Sequence, residues 1–346
     1  MSIATQLQAL ENNISDAYDM VSQRGGTLPQ RKNMENLDDA IATIPSGSNV
    51  GIQREVSNSG VYQMPSSNFT FRLPSNATDL GAYALAYAFY NNDKLTSVDL
   101  SSLTTLSKAS STDHAFASCS SLTSADLSSL ATVSRSGLYY AFNGCYNLAT
   151  VDLSSLATLS GNDAMYSAFY GCRSLTSVDL SSLTTVSGSS AMYACFTACN
   201  GLTTADLSSL TTVSGQGGIQ QAFGQCYSLT SADLSSLTTV SAVNGLVNLF
   251  YDCTSLTSFT FDSLSVVTGG YALMYAFRGC TALTSVSFPA LTANSFGTRT
   301  DQFNSMLSGC SNVTVHFPAA IQSTIGSWAS VTAGFGGTNT TVLFDL

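Results

Sequence analysis

Residues 141–161 read AFNGCYNLATVDLSSLATLSG and residues 168–188 read AFYGCRSLTSVDLSSLTTVSG, and the near-identity of these two stretches decides the fold. The offset between them is 27 residues, and it recurs along most of the chain with one shortening to 26. Self-similarity at such a period marks stacked coils, each too small to bury its apolar face alone and stable only against its neighbours. Leucine returns at Leu95, Leu122, Leu148, Leu175, Leu202, Leu229, Leu256 and Leu283. Five residues further on come Leu100, Leu127, Leu153, Leu180, Leu207, Leu234, Phe261 and Phe288, with Val98, Ala125, Val151, Val178, Ala205, Ala232, Phe259 and Val286 between.

Within each unit the alternation of SVDL is a strand pattern: Val98 and Leu100 point inward while Ser97, Asp99 and Ser101 point out. Counting the outer coils at Phe71 and Val315 gives ten short parallel strands, a sheet roughly 45 Å long at about 4.8 Å per strand. A second apolar pair, Leu103 and Leu106 and their equivalents through Leu264 and Val267, turns the coil. A variable loop follows, then a piece such as GNDAMYSAFYGC in which Met165, Phe169 and Cys172 stand at helical spacing, so each coil is expected to close with a short helix. The expected fold class is an α/β repeat: a leucine-rich-repeat solenoid of about nine to ten coils, with a parallel sheet on one face and a short N-terminal helical module. Residues 1–48 form that module and its linker, 49–310 the solenoid with its N-terminal cap, and 311–346 a C-terminal capping coil.

Two further columns have chemically suggestive side chains. Phe89, Phe116, Phe142, Phe169, Phe196, Phe223, Phe250 and Phe277 recur once per coil, and so strictly that core is their expected place. Cys119, Cys145, Cys172, Cys199, Cys226, Cys253, Cys280 and Cys310 recur likewise, with Cys195 as an extra where other coils have Ala. Metal ligands come in local clusters with His or carboxylate, and reactive thiols need a basic setting. The column is therefore read as buried free thiols.

The charged fraction is 9%, far under the roughly 25% of ordinary soluble domains, so the surface is largely hydroxyl. A net charge of −10 and a pI near 4.3 argue against nucleic acid and anionic membranes as partners. No run approaches the roughly 18 apolar residues of a membrane span, and the N-terminus has neither the basic start nor the apolar core of a secretory signal.

The unit AFxGCxSLTSVDLSSLTTVSG is similar to the BspA-like leucine-rich repeats of bacterial and phage surface proteins, over about residues 65 to 320. The resemblance implies adhesion and binding. Residues 25–45, GGTLPQRKNMENLDDAIATIP, resemble a short module of tail- and baseplate-associated phage proteins.

Ahead of the repeats, Ile3, Leu7, Leu10, Ile14, Ala17 and Val21 alternate by four and three, the heptad of a short coiled coil. A single amphipathic helix lying on the solenoid fits the same spacing. Asn33 caps an expected second helix that Pro45 ends. Segments 50–74 and 313–346 should cover the ends of the stack, with Ile321, Ile325 and Trp328 on a capping helix and Thr341 to Phe344 as a final strand.

Catalytic chemistry finds no footing. His114 and His316 lie in distant coils, so no Ser-His-Asp or Cys-His set assembles, and Gly215-Gln216-Gly217-Gly218 lacks the Lys of a phosphate loop. The expectation is that the protein is no enzyme. The one ladder with electrostatic content is Asp99, Asp126, Asp152, Asp179, Asp206 and Asp233. Six carboxylates in a row want relief, from cations such as calcium, from a basic partner, or from adjacent hydroxyls and turn amides. No other cofactor is expected. Tyr139, Tyr140, Tyr166, Tyr170, Tyr193 and Tyr227 are the candidate partner-binding residues, since Tyr joins a large rigid ring to a polar tip. The expected function is that of a phage tail-tip or receptor-binding protein, assembled in the host cytoplasm and placed in the virion. It would bind a host-surface protein or glycan, with residues 1–45 joining other virion proteins or further copies of the chain. The alternative is a BspA-like bacterial surface adhesin or interaction scaffold.

Overall fold

The computed structural model describes residues 68–73 and 75–346. The N-terminal heptad, the helix after Asn33 and most of the N-terminal cap lie outside the described residues. The described chain winds as a parallel β-solenoid in which each coil contributes a strand to one ladder and seven of the coils a shorter strand to a second.

The first ladder holds the SVDL strands, from Phe69–Arg72 and Leu95–Asp99 through Ser285–Ser287 to Thr314–Phe317 and the final Thr341–Phe344. Equivalent residues pair in register: Ser97 with Ser124, Val98 with Ala125, Asp99 with Asp126. The middle residue is inward as alternation requires, Val98 and Val178 being nearly covered. This ladder is not continuous. It divides into groups of four, three and four strands, with breaks between Thr150–Asp152 and Ser177–Asp179 and between Ser231–Asp233 and Ser258–Thr260. At the second break the inward column steps from Ala232, half-buried, to the much larger Phe259.

The second ladder, Thr105–Leu106 through Val266–Val267, runs unbroken over seven strands. Its inward residues Leu106, Val133, Leu159, Val186, Val213, Val240 and Val267 have no exposed surface. At its exit the coils approach so closely that a Cβ on Gly188 would lie 2.0 Å from the Gly161 carbonyl oxygen, which is why SG recurs there.

The closing segment of the coil is not a helix, and here the expectation is corrected. Its backbone is a run of overlapping β-turns with one left-handed residue in four, as at Asp163, Ser167 and Gly171. Amides alternate in their duties. Tyr166, Ala168 and Tyr170 donate to the carbonyls three residues back, while Met165, Ser167, Phe169 and Gly171 donate across to Ala191, Tyr193, Cys195 and Thr197 of the next coil. Left-handed residues fall at the third position of every second turn, where a type II turn needs positive φ. The ribbon is thus a third parallel ladder with a four-residue period, and that period, not 3.6, sets the spacing of Met165 and Phe169. Both are fully buried, as is Cys172, so the inward face was read correctly and the backbone was not.

Successive Phe rings stack along the ribbon with centroids 5.0 Å apart for Phe116 and Phe142, 5.2 Å for Phe142 and Phe169, and 5.3 Å for Phe169 and Phe196. Offset stacking at such distances adds to the area each ring buries. The column from Cys119 to Cys280 follows three residues behind, and all nine cysteines are free and buried. Each columnar thiol donates to a Phe carbonyl of the preceding coil, for example Cys145 Sγ to Phe116 O at 3.0 Å and Cys199 Sγ to Phe169 O at 3.2 Å. Burial pushes the Cys226 thiol up to about 12 and Cys310 to about 11, which keeps them neutral.

The tail places the expected residues in or against the core but not on one helix: Ile321 ends a 3-10 turn, and Trp328 lies between two four-residue helices. Ile321 and Ile325 are buried, the latter on the short helix Gln322–Ile325, and Trp328 meets Phe296 edge-on at 4.9 Å before the helix Ala329–Thr332. Trp328 is a cap anchor.

Candidate functional site: two exterior faces

The strand face carries the six aspartates. Each occupies the last position of its strand and turns its carboxylate onto the residue two places on. Asp152 Oδ1 accepts from the Ser154 amide at 3.0 Å and its hydroxyl at 2.7 Å, and Asp179 from the Ser181 amide at 2.9 Å. Asp126, Asp206 and Asp233 accept from Ser128, Ser208 and Ser235 in the same way. The sequence reason is DLSS: a carboxylate followed at two residues by a turn amide makes an Asx-turn. At Asp99 burial works to raise the carboxyl, but the Ser101 hydroxyl and amide and the Arg72 guanidinium at 2.6 Å outweigh it and hold it below its ordinary value. For Asp179 the Ser181 hydroxyl and amide lower it against a smaller opposing effect of burial.

Of the reliefs open to this ladder, hydrogen bonds from neighbouring hydroxyls and amides are therefore in place. Among the described residues no group of three or more His, Cys, Asp or Glu side chains could hold a metal ion. Two shallow, open depressions of about 680 and 640 Å³ lie on this face, floored by Ser, Thr and Asp columns. One spans Ser177 to Asp262 and the other Ser97 to Asp179, so they meet at the first break in the ladder.

The ribbon face carries the tyrosines. Four of the six singled out, Tyr139, Tyr140, Tyr166 and Tyr193, are half-buried in a continuous stack, and Tyr170 and Tyr227 stand out at 39% and 43% exposure. The stack begins earlier than expected. Tyr87 lies parallel to His114 at 4.8 Å, His114 parallel to Tyr140 at 4.8 Å, Tyr140 meets Tyr166 at 5.5 Å, and Tyr166 stacks on Tyr193 at 4.6 Å. Rings from five consecutive coils thus form one exterior row. Three residues were missed. His114, Tyr87 and Tyr90 belong here, and the signal was available: His114 stands 27 residues after Tyr87 and 26 before Tyr140, in the same column.

His114 Nδ1 lies 2.5 Å from Asp113 Oδ1, and its two ring faces are covered by tyrosines. Burial raises the Tyr166 phenol to about 12, helped by Tyr140 and Tyr193. Burial first, then Tyr140 and Asp163, also raises Tyr139. These two phenols therefore stay neutral at physiological pH.

An array of parallel coils stacked in register defines a repeat scaffold. The chain belongs to the family described as "BspA type Leucine rich repeat region (6 copies)", which matches residues 59–166, 114–242, 140–269 and 246–329. Among solved structures, an internalin of Listeria monocytogenes is 16% identical, covering 70% of this chain and 68% of its own at a TM-score of 0.24. A leucine-rich repeat protein of Leptospira interrogans is 14% identical, covering 80% of this chain and 84% of its own at a TM-score of 0.21. No curated protein matches the chain. No helix among the described residues is long and apolar enough to cross a membrane.

Proposed function

We propose that this protein is a non-enzymatic recognition scaffold, acting as a surface adhesin that engages a cell-surface protein or glycan through the ribbon face. The observation behind this reading is the exterior row of rings from Tyr87 to Tyr193, flanked by the exposed Tyr170 and Tyr227. A monomeric fold gains little from leaving so many aromatic side chains at its surface, whereas an interface uses them as rigid anchors. Membership of the BspA-type repeat family supports the scaffold part of the reading. Residues 1–45, whose resemblance to phage tail-associated proteins implies attachment to a virion, lie outside both the family match and the described residues.

The test compares the full chain with a variant carrying Ser at Tyr139, Tyr140, Tyr166, Tyr170, Tyr193 and Tyr227, in binding to intact cells and to immobilised glycan and protein panels. A second variant carries Asn at Asp126, Asp152 and Asp206. Loss in the first and retention in the second is expected, once circular dichroism has verified both folds. The reverse pattern would transfer recognition to the strand face.

A further inference from the structure

The two outermost described strands of the first ladder end it in opposite ways. Phe69–Arg72 meets its neighbour through a register shift between Phe69 and Thr70 and ends on Arg72. A bulge and a charge of this kind discourage a further strand from adding at a sheet edge. Thr341–Phe344 has neither. It pairs with Thr314–Phe317 in unbroken register, and no described residue pairs with its other edge. The Thr341 amide donates to the Val313 carbonyl at 2.9 Å, so alternation along the ladder turns the N–H and C=O of Val342 and Phe344 outward. On the core side the ring column of Phe288, Phe317 and Phe344, with centroids 5.2 and 5.8 Å apart, stops at a half-buried ring. On the outer side Leu343 is 37% exposed. From Gln302 to Phe344 the sequence has no Asp, Glu, Lys or Arg, although the net charge of the chain is −10.

We propose that Thr341–Phe344 is a dimerisation edge, joined antiparallel to the same strand of a second copy about a two-fold axis through Leu343. An acidic chain repels its copies over most of its surface. The last coil, whose exposed residues include Gln322, Ser323, Ser327, Thr332 and Thr338, carries no charge, and it is where two copies can approach. The outward groups fix the register: both outward residues are used within the strand only when Val342 stands opposite Phe344 of the other copy. Each such pair exchanges both of its backbone bonds, and Leu343 meets its counterpart at the axis as a close, non-hydrogen-bonded pair. Thr341 then faces Asp345, so no like charges stand opposite one another. Val342 and Phe344 of the second copy continue the inward columns and cover the open ring. The contact is isologous and closes at two chains.

The test is sedimentation equilibrium of the full chain over a dilution series, with cysteine cross-linking to read the register. The mass of the parent rises toward two chains with concentration. Val342→Pro removes an amide that the folded chain leaves unbonded, so the ladder to Thr314–Phe317 survives, verified by circular dichroism, while association weakens by about tenfold or more. Leu343→Lys, which sets two ammonium groups at the axis, abolishes association. Leu343→Cys forms an interchain disulfide under mild oxidation, since a non-hydrogen-bonded pair holds its Cα atoms about 4.5 Å apart, within disulfide reach. Thr341→Cys and the parent, whose own thiols are buried, form none. Single-chain mass throughout the series, a Val342→Pro variant that associates like the parent, or a Leu343→Cys variant that stays uncrosslinked overturns the proposal.

Discussion

The strand side and the ribbon side of this solenoid are built from the same 27-residue period, yet they hold the coils together differently. On the strand side the backbone ladder breaks twice, and side chains at its surface are small, polar and satisfied within their own turn. On the ribbon side the inter-coil hydrogen bonds continue across both of those breaks. Gly144, Phe142 and Tyr140 donate to Tyr170, Ala168 and Tyr166 across the first, and Gln225, Phe223 and Gln221 to Tyr251, Leu249 and Val247 across the second. Beneath them the Phe stack and the thiols cross the same steps. The ribbon, which has the less regular backbone, shares the continuity with the second ladder, Thr105–Leu106 through Val266–Val267. The strand side is free to vary its surface at little structural cost.

That difference can be broken or sharpened experimentally. The largest effect concerns the thiols beneath the ribbon: native protein should react with a thiol reagent only on the timescale of opening, whereas denatured protein without reductant yields all nine. Cys310, near the end of the stack and alone among the nine in keeping a trace of exposed surface, should be the first to react. Fewer than nine thiols after denaturation would mean disulfides and defeat the ladder. Phe169→Ala removes a ring stacked on both sides and should cost about 4 kcal/mol in a urea titration. A loss under about 1 kcal/mol would show that the stack contributes little.

Gly188→Ala drives a Cβ into the Gly161 carbonyl and should cost about 2 kcal/mol, since backbone on both sides must shift. Gly171→Ala meets no close atom, so only its left-handed backbone, φ 73°, is strained, and about 1 kcal/mol is expected. Equal costs at the two glycines would remove the distinction between close approach and conformation. The smallest effect belongs to the strand face. Asp179→Asn should change stability at pH 7 by under about 0.5 kcal/mol, because the carboxylate is solvated. Its pKa is lowered in the folded chain, so its contribution is present above the ordinary Asp value near 3.9 and is lost as pH falls through the folded value. Parent and variant should therefore converge in acid; a gap that widens below pH 4 would contradict the Asx-turn account.

Much of this was legible in the residues. Val98 to Val286 marked the inward column and the cysteine column marked buried thiols, both from recurrence alone, while Ile325 was placed in the cap because the end of a stack needs covering. The Asp ladder was seen, but what relieves it was left open, because the turn that brings the Ser154 amide to Asp152 is a matter of backbone direction. His114 was set aside for want of a catalytic partner, although its column already placed it among tyrosines.

By itself the sequence determined the period, the register and which side chains face the core, because a repeat of fixed length forces equivalent residues into the same column. Only the tertiary structure decided the ribbon. Positions Met165 and Phe169, four apart, suit a helix and a chain of turns equally well, and the two differ in where the amides find their acceptors. A helix finds them four residues back in the same chain segment. Here half of them, such as Phe169 to Cys195, find them a coil away, in a neighbour that local spacing cannot register.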